Sequence, residues 1–165
     1  VHKLAKEVGI SEKLPPDLSL SLGAADITLL EMTGAYLPFA GDGSYYKPAF
    51  IEKMVLPDGT VVYPENRGKR KKVLSLTVNN SMRKMLYGVV SRGTGKKVSD
   101  VPGVRGGKTG TSDKSRDGWF VGYDTKYTTG IWTGYDRNQS LGKKESGGTT
   151  AAPIWRDFML AVGGK

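Results

Sequence analysis

The chain has 165 residues, a mass of 17.8 kDa and an apolar fraction of 38%, enough for one domain with a lean core. It contains no cysteine and one histidine, His2. That excludes disulfide frameworks, thiolate metal sites and thiol nucleophiles, and speaks against a Ser-His-Asp triad or a multi-histidine metal site. With 25 basic and 16 acidic side chains the net charge is +9, which points to an anionic partner: nucleic acid, an anionic membrane surface, a cell-wall polymer or an acidic substrate. No apolar run approaches the ~20 residues of a membrane span. No n-region and h-region pair marks a signal peptide, so any export or anchoring signal is expected outside these residues.

Residues Val1 to Gly9 read as the last turns of an amphipathic helix, with Leu4 and Val8 on one face and Gly9 as a stop. With no initiator Met and no cap, this end is expected to be a cut inside a longer protein. After Pro15-Pro16, Thr28-Leu29-Leu30-Glu31 fits a capping box, and Leu29, Met32, Tyr36 and Phe39 follow at helical spacing up to Gly41-Asp42-Gly43. A β-hairpin is expected next, Phe50 to Leu56 and Thr60 to Tyr63 around Pro57-Asp58-Gly59. Residues 67–72 (RGKRKK) form a basic run, read as a solvated loop; no aromatic interrupts it, which weakens a base-stacking role. Val78, Met82, Met85, Leu86 and Val89 make a helical stripe predicted to face the core, ended by Gly93. Gly93-Thr94-Gly95 lacks the length and order of a phosphate-binding loop. Three antiparallel strands are predicted over Val104 to Ser112, Trp119 to Tyr123 and Tyr127 to Tyr135, with a loop at Asp113 to Gly118. A final helix from about Thr150, with Pro153 in its first turn, carries Ile154, Trp155, Phe158, Met159 and Val162. Helices, a meander and a closing helix give an α/β fold of the α+β type: an antiparallel sheet flanked by helices.

The sharpest chemical signal is Gly107-Lys108-Thr109-Gly110-Thr111-Ser112 on the first predicted strand. Lys108 supplies a positive charge. Thr109 and Thr111, two apart, point to the same face, where their hydroxyls can meet one carboxylate. Gly110 lets a ligand lie close along the backbone. The Thr111 N–H is then free to donate to an oxyanion. The alternative is a glycine-kinked strand with a surface lysine.

Lys-Thr-Gly is also the third motif of penicillin-binding proteins and class A β-lactamases, after Ser-x-x-Lys and Ser-Asp-Asn. The run GGKTGTSDKSRDGWFVGYDTKYTTGIWTGYD resembles the end of a penicillin-binding transpeptidase domain. So do SLSLGAADITLLEMTGAYLPFA, SRGTGKKV and GGTTAAPIWRDFM, in the family's order over most of residues 1–160. The style is that of the class A, bifunctional members, which polymerise and cross-link peptidoglycan. The chain departs from the family pattern in having no Ser-x-Asn. Its Ser-x-x-Lys strings are Ser44–Lys47, Ser81–Lys84 and Ser140–Lys143. Only Ser81–Lys84 falls on a predicted helix, and it lies just 27 residues before Lys108, too near for the family layout. The other two read as loops.

The resemblance therefore implies that residues 1–165 are the C-terminal portion of a single transpeptidase domain. The nucleophile serine and its lysine would come from the N-terminal portion, in the same or a separate chain. Carried over to this sequence, Lys108 supports the catalytic hydrogen bonds, and Thr109, Gly110 and Thr111 hold the substrate or β-lactam carboxylate. The Thr111 N–H is half of the oxyanion hole. Ser112, Arg116 and Asp117 are candidates to line the cleft. Trp119, Phe120 and Trp155 read as packing. The implied reaction is D,D-transpeptidation of peptidoglycan stem peptides through a serine acyl-enzyme, with β-lactams as inhibitors, no metal or organic cofactor, and a location outside the bacterial cytoplasmic membrane. The isolated chain is expected to be inactive and unstable. Rival readings are a non-catalytic module binding peptidoglycan or a partner, a D,D-carboxypeptidase or β-lactamase, and a nucleic-acid-binding module. The last lacks any recognisable motif, so no nucleic acid is expected.

Overall fold

The computed structural model describes residues 1–63, 69–137 and 139–163. Its centre is a three-stranded antiparallel meander in the order β5 (Gly106–Thr111), β6 (Asp117–Tyr123) and β7 (Thr128–Gly134). The pairing runs from Gly106 opposite Tyr123 to Thr111 opposite Gly118, and from Asp117 opposite Gly134 to Tyr123 opposite Thr128. Seven or fewer residues per strand suit a small twisted sheet, and all three predicted strands are present with ends shifted by a few residues.

One face of this sheet carries Phe120 of β6 and receives α5 (Ala151–Gly163). Phe120 and Trp155 are inaccessible and meet edge to face, ring centroids 5.2 Å apart. The Trp155 indole N–H donates to Thr129 O at 3.1 Å, so the ring is buried without an orphaned donor. Val90, Val98, Val101, Ala151, Ala152 and Met159 complete this core. On the opposite face, α2 (Leu29–Ala35) packs against β7. Leu86 of α4 (Leu76–Arg92) comes so near Gly106 that an added Cβ would lie 3.0 Å from its own. The helices on both sides match the expected class.

A second core joins Val8, Ile10, Leu14 and Ala35, beneath α1 (His2–Glu7) and α2. The Thr28 cap forms, its hydroxyl accepting from Glu31 N–H at 3.2 Å, while the Glu31 carboxylate accepts from Ser11 N–H at 2.9 Å rather than closing the box on the Thr28 backbone. The helix it starts is shorter than predicted, because the chain bends at Tyr36 and resumes as α3 (Leu37–Ala40), with Pro38 in its first turn. Two small ladders lie outside the main sheet. β1 (Ser44–Tyr45) pairs with β4 (Lys71–Lys72), and β2 (Met54–Val55) with β3 (Val61–Val62).

Several expectations need correcting. The basic run is in part a strand: Lys71–Lys72 pairs with Ser44–Tyr45, while Arg70 and Lys72 both reach the Asp42 carboxylate. Residues 67–68 of that run lie outside the described residues. The hairpin ladder is confined to two residues per strand rather than the span Phe50 to Tyr63. Val78 and Met85 do not face the core; they are 50% and 59% exposed. The buried line of α4 is Asn79, Leu86 and Val90, rotated from the predicted stripe, because β5, α3 and the turn at residues 96–98 pack on that side, with the Asn79 amide donating to Gly41 O at 3.0 Å. In α5, Ile154 and Phe158 are likewise exposed, at 50% and 45%, whereas Trp155 and Met159 are buried. Among the described residues no helix is long and apolar enough to cross a membrane.

Candidate active site

Among the described residues β5 is an edge strand, with β6 on one side of its backbone and no strand on the other. In an antiparallel pair, residues alternate between groups bonded to the neighbour and groups pointing outward. Just beyond the ladder Ser112 N–H donates to Asp117 O at 3.1 Å, which sets the phase. By alternation the Thr109 and Thr111 N–H and C=O groups face the open edge. Lys108 agrees with this phase: its Nζ donates to the outward Thr109 O at 2.7 Å. That bond ties the exposed ammonium to the strand instead of leaving it to sweep solvent.

The register puts Thr109 opposite Phe120 and Thr111 opposite Gly118, on the α5 face of the sheet. Lys108 lies on the other face, opposite Val121. Each threonine hydroxyl has a partner behind it. Thr109 Oγ1 is 2.6 Å from Thr94 Oγ1. Thr111 Oγ1 accepts from Gly147 N–H at 3.1 Å, so its own hydrogen remains available for a ligand.

Both supports come from loops. Thr94 follows the end of α4, where Gly93 and Gly95 N–H donate to Val89 O at 3.1 and 3.0 Å. Gly147 precedes α5, whose start is braced by Ala152 N–H to Gly147 O at 2.9 Å. Gly147 presses on the sheet so closely that an added Cβ would lie 2.8 Å from Trp119 N and nearer still to the carbonyl oxygens of Trp119 and Gly110. Only glycine fits there.

Ser112, Arg116 and Asp117 frame the β5–β6 turn. Ser112 Oγ accepts from Asp117 N–H at 2.8 Å. Asp117 belongs to β6 rather than to the predicted loop, and its carboxylate accepts from the Trp132 indole N–H at 2.9 Å. Lys114 and Ser115 hold left-handed φ values of 60° and 51°, which tighten the connection. Arg116 is half-buried at its end. Trp119 meets Trp132 edge to face at 6.5 Å.

The three Ser-x-x-Lys strings are separate from this edge. Ser81 Oγ donates to Thr77 O at 3.1 Å within α4. Ser140 Oγ accepts from Gly142 N–H at 3.1 Å. Ser44 is buried in β1, a strand and not the expected loop. Among the described residues none of these serine hydroxyls is hydrogen-bonded to a lysine side chain, the contact that would activate it.

Sequence reasoning did not assign Thr94 or Gly147 to the site. Both lay in segments that carried the family resemblance, SRGTGKKV and GGTTAAPIWRDFM, but no spacing rule says that two distant loops close on one strand.

Comparison with known proteins agrees with that resemblance. The model of the penicillin binding protein transpeptidase domain matches residues 10–160. Penicillin-binding protein 1A of Aquifex aeolicus is 41% identical over 98% of this chain, and penicillin-binding protein 2D of Bacillus subtilis is 34% identical over 95%. The chain spans only 22% and 23% of those two relatives. Among solved structures, penicillin-binding protein 1A from Haemophilus influenzae superposes over 95% of this chain and 29% of its own, with a TM-score of 0.83 at 24% identity, a likeness of fold. A Lys-Thr-Gly edge strand backed by two loops, a family match over residues 10–160 and relatives named penicillin-binding protein 1A lead to one conclusion: the chain belongs to the penicillin-binding protein transpeptidase family.

Proposed function

We propose that this chain is the carboxylate-anchoring and oxyanion-stabilising portion of a serine-type peptidoglycan D,D-transpeptidase. The observation that carries the reading is the open edge of β5. Two threonine hydroxyls lie on one face with partners behind them, an outward Thr111 N–H adjoins them, and a tethered Lys108 lies across the strand.

A stem peptide or β-lactam lies along this edge. Its carboxylate accepts from the Thr109 and Thr111 hydroxyls, and Lys108 supplies attraction and a donor to the catalytic hydrogen bonds. A serine from the N-terminal portion of the domain attacks the penultimate D-alanine carbonyl. The Thr111 N–H donates to the oxygen that becomes negative, an interaction worth ~10²–10³ in rate when one such donor is lost. The C–N bond breaks, D-alanine leaves with the transferred proton, and an amine from a neighbouring stem takes the acyl group. The portion supplying the serine also covers the exposed apolar faces of α4 and α5 at Val78, Met85, Ile154 and Phe158. The protein works at the outer face of the bacterial membrane, where a surface of net charge +9 meets an anionic wall.

The test is acylation of the intact protein by a fluorescent penicillin, followed by mass mapping of the label. The expected label is on a serine outside residues 1–165. Lys108→Ala and Thr111→Val should each slow labelling by at least tenfold, and the isolated chain should take up none. Label on Ser81, or full labelling of Lys108→Ala, would overturn the reading.

A further inference from the structure

We infer that Thr94 is a positioning residue for carboxylate recognition, acting through the Thr109 hydroxyl; this rests on the function proposed above. The hydroxyl oxygens of Thr94 and Thr109 are 2.6 Å apart, and either can donate. A carboxylate only accepts. When one is bound, the Thr109 hydrogen must point to it, and the pair settles with Thr94 donating to Thr109 Oγ1. The hydrogen bonds then run in one direction, from Thr94 to Thr109 to the ligand. A hydroxyl that accepts one bond is a better donor in the next, so the chain strengthens its last link.

Thr94 is suited to the task because its backbone is held. Gly93 and Gly95 on either side both donate to Val89 O, and Lys96 and Val98 N–H close the next turn on Gly93 O and Gly95 O at 3.1 Å each. Gly95 is buried, with the Phe120 ring 3.1 Å from where its Cβ would be. Phe120 is the cross-strand partner of Thr109. The Thr94 turn and the Thr109 position thus rest on the same ring. Thr111 has a fixed donor behind it, the Gly147 N–H. Its hydrogen is therefore biased outward, and the Thr94 hydroxyl lets Thr109 turn its own hydrogen outward as well, which suits a ligand that only accepts.

The experiment compares acylation of the intact protein by a penicillin with that by its carboxylate methyl ester, in wild type, Thr94→Val, Thr94→Ala and Thr94→Ser. Thr94 is exposed, so these changes leave the cores untouched, which melting temperatures verify. Thr94→Val and Thr94→Ala should slow acylation by the free acid about three- to tenfold, the range for one neutral hydrogen bond, and leave the ester rate nearly unchanged. Thr94→Ser should keep the wild-type ratio of acid to ester rates. An unchanged ratio in Thr94→Val, or equal slowing of both compounds, overturns the inference while wild-type acylation upholds the transpeptidase reading. A wild-type protein that is not acylated at all overturns both.

Discussion

Gly147→Ala tests whether the segment before α5 is what fixes the Thr111 hydroxyl. The new Cβ would lie 2.8 Å from Trp119 N, against 3.4–4 Å for ordinary contact, and closer to two carbonyl oxygens. All three neighbours are backbone atoms of β5 and β6, so no rotamer change relieves the clash. The segment must move away by at least about 0.6 Å, and more on the oxygen side. Such overpacking costs ~1–3 kcal/mol. Loss of the Gly147 N–H bond to Thr111 adds about 1 kcal/mol. The expected destabilisation is therefore about 2–4 kcal/mol. A displacement approaching 1 Å beside the ligand can also slow acylation by up to ~10²-fold. Differential scanning calorimetry and stopped-flow acylation of the intact protein measure the two effects. Gly41→Ala is the control, because its Cβ meets only Leu37 O, at 3.5 Å, and it should shift stability by no more than ~0.5 kcal/mol. Unchanged melting and unchanged acylation in Gly147→Ala would refute the argument.

Two further outcomes follow from the packing and charges. Trp155→Ala removes an inaccessible ring, its edge-to-face contact with Phe120 and its bond to Thr129 O, and should cost about 3–5 kcal/mol; a chemical-denaturation midpoint equal to wild type would contradict the assignment of Trp155 to the core. The Asp100 carboxyl is held below its ordinary value of 3.8, first by its hydrogen bond from Arg156 and also by that residue's charge. A depressed carboxyl stabilises the fold above its unfolded pKa, and that contribution disappears as pH falls through the lower folded value. Arg156→Met should thus return the Asp100 titration, followed by carboxyl NMR, to near 3.8 and flatten the acid limb of the stability curve below about pH 4; an unshifted titration would show the pair to be without influence.

Much of the fold was legible because it depends on short-range rules. The helix cap at Thr28, the three strands over residues 106–134 and the closing helix were readable from side-chain types and spacing alone. Facing was less legible. The α4 stripe contained Val78 and Met85 by hydropathy, yet both are exposed, because a helix buries the side on which something packs. In α5, Ile154 and Trp155 look equally apolar in sequence, and only Trp155 meets the sheet.

The same division runs through the site. That Thr109 and Thr111 share a face is readable from the residues alone, since alternation along a strand is a local property. So are the charge beside them at Lys108 and the family resemblance. That β5 is an edge, that its outward groups are those of Thr109 and Thr111, and that Thr94 and Gly147 lie behind their hydroxyls all depend on how distant segments come together. Thr94 is 15 residues from Thr109 and Gly147 is 36 from Thr111. Contacts over such separations are set by how α4 and α5 dock on the sheet, through Val90, Phe120 and Trp155, and no local pattern in either loop records where that docking will leave it.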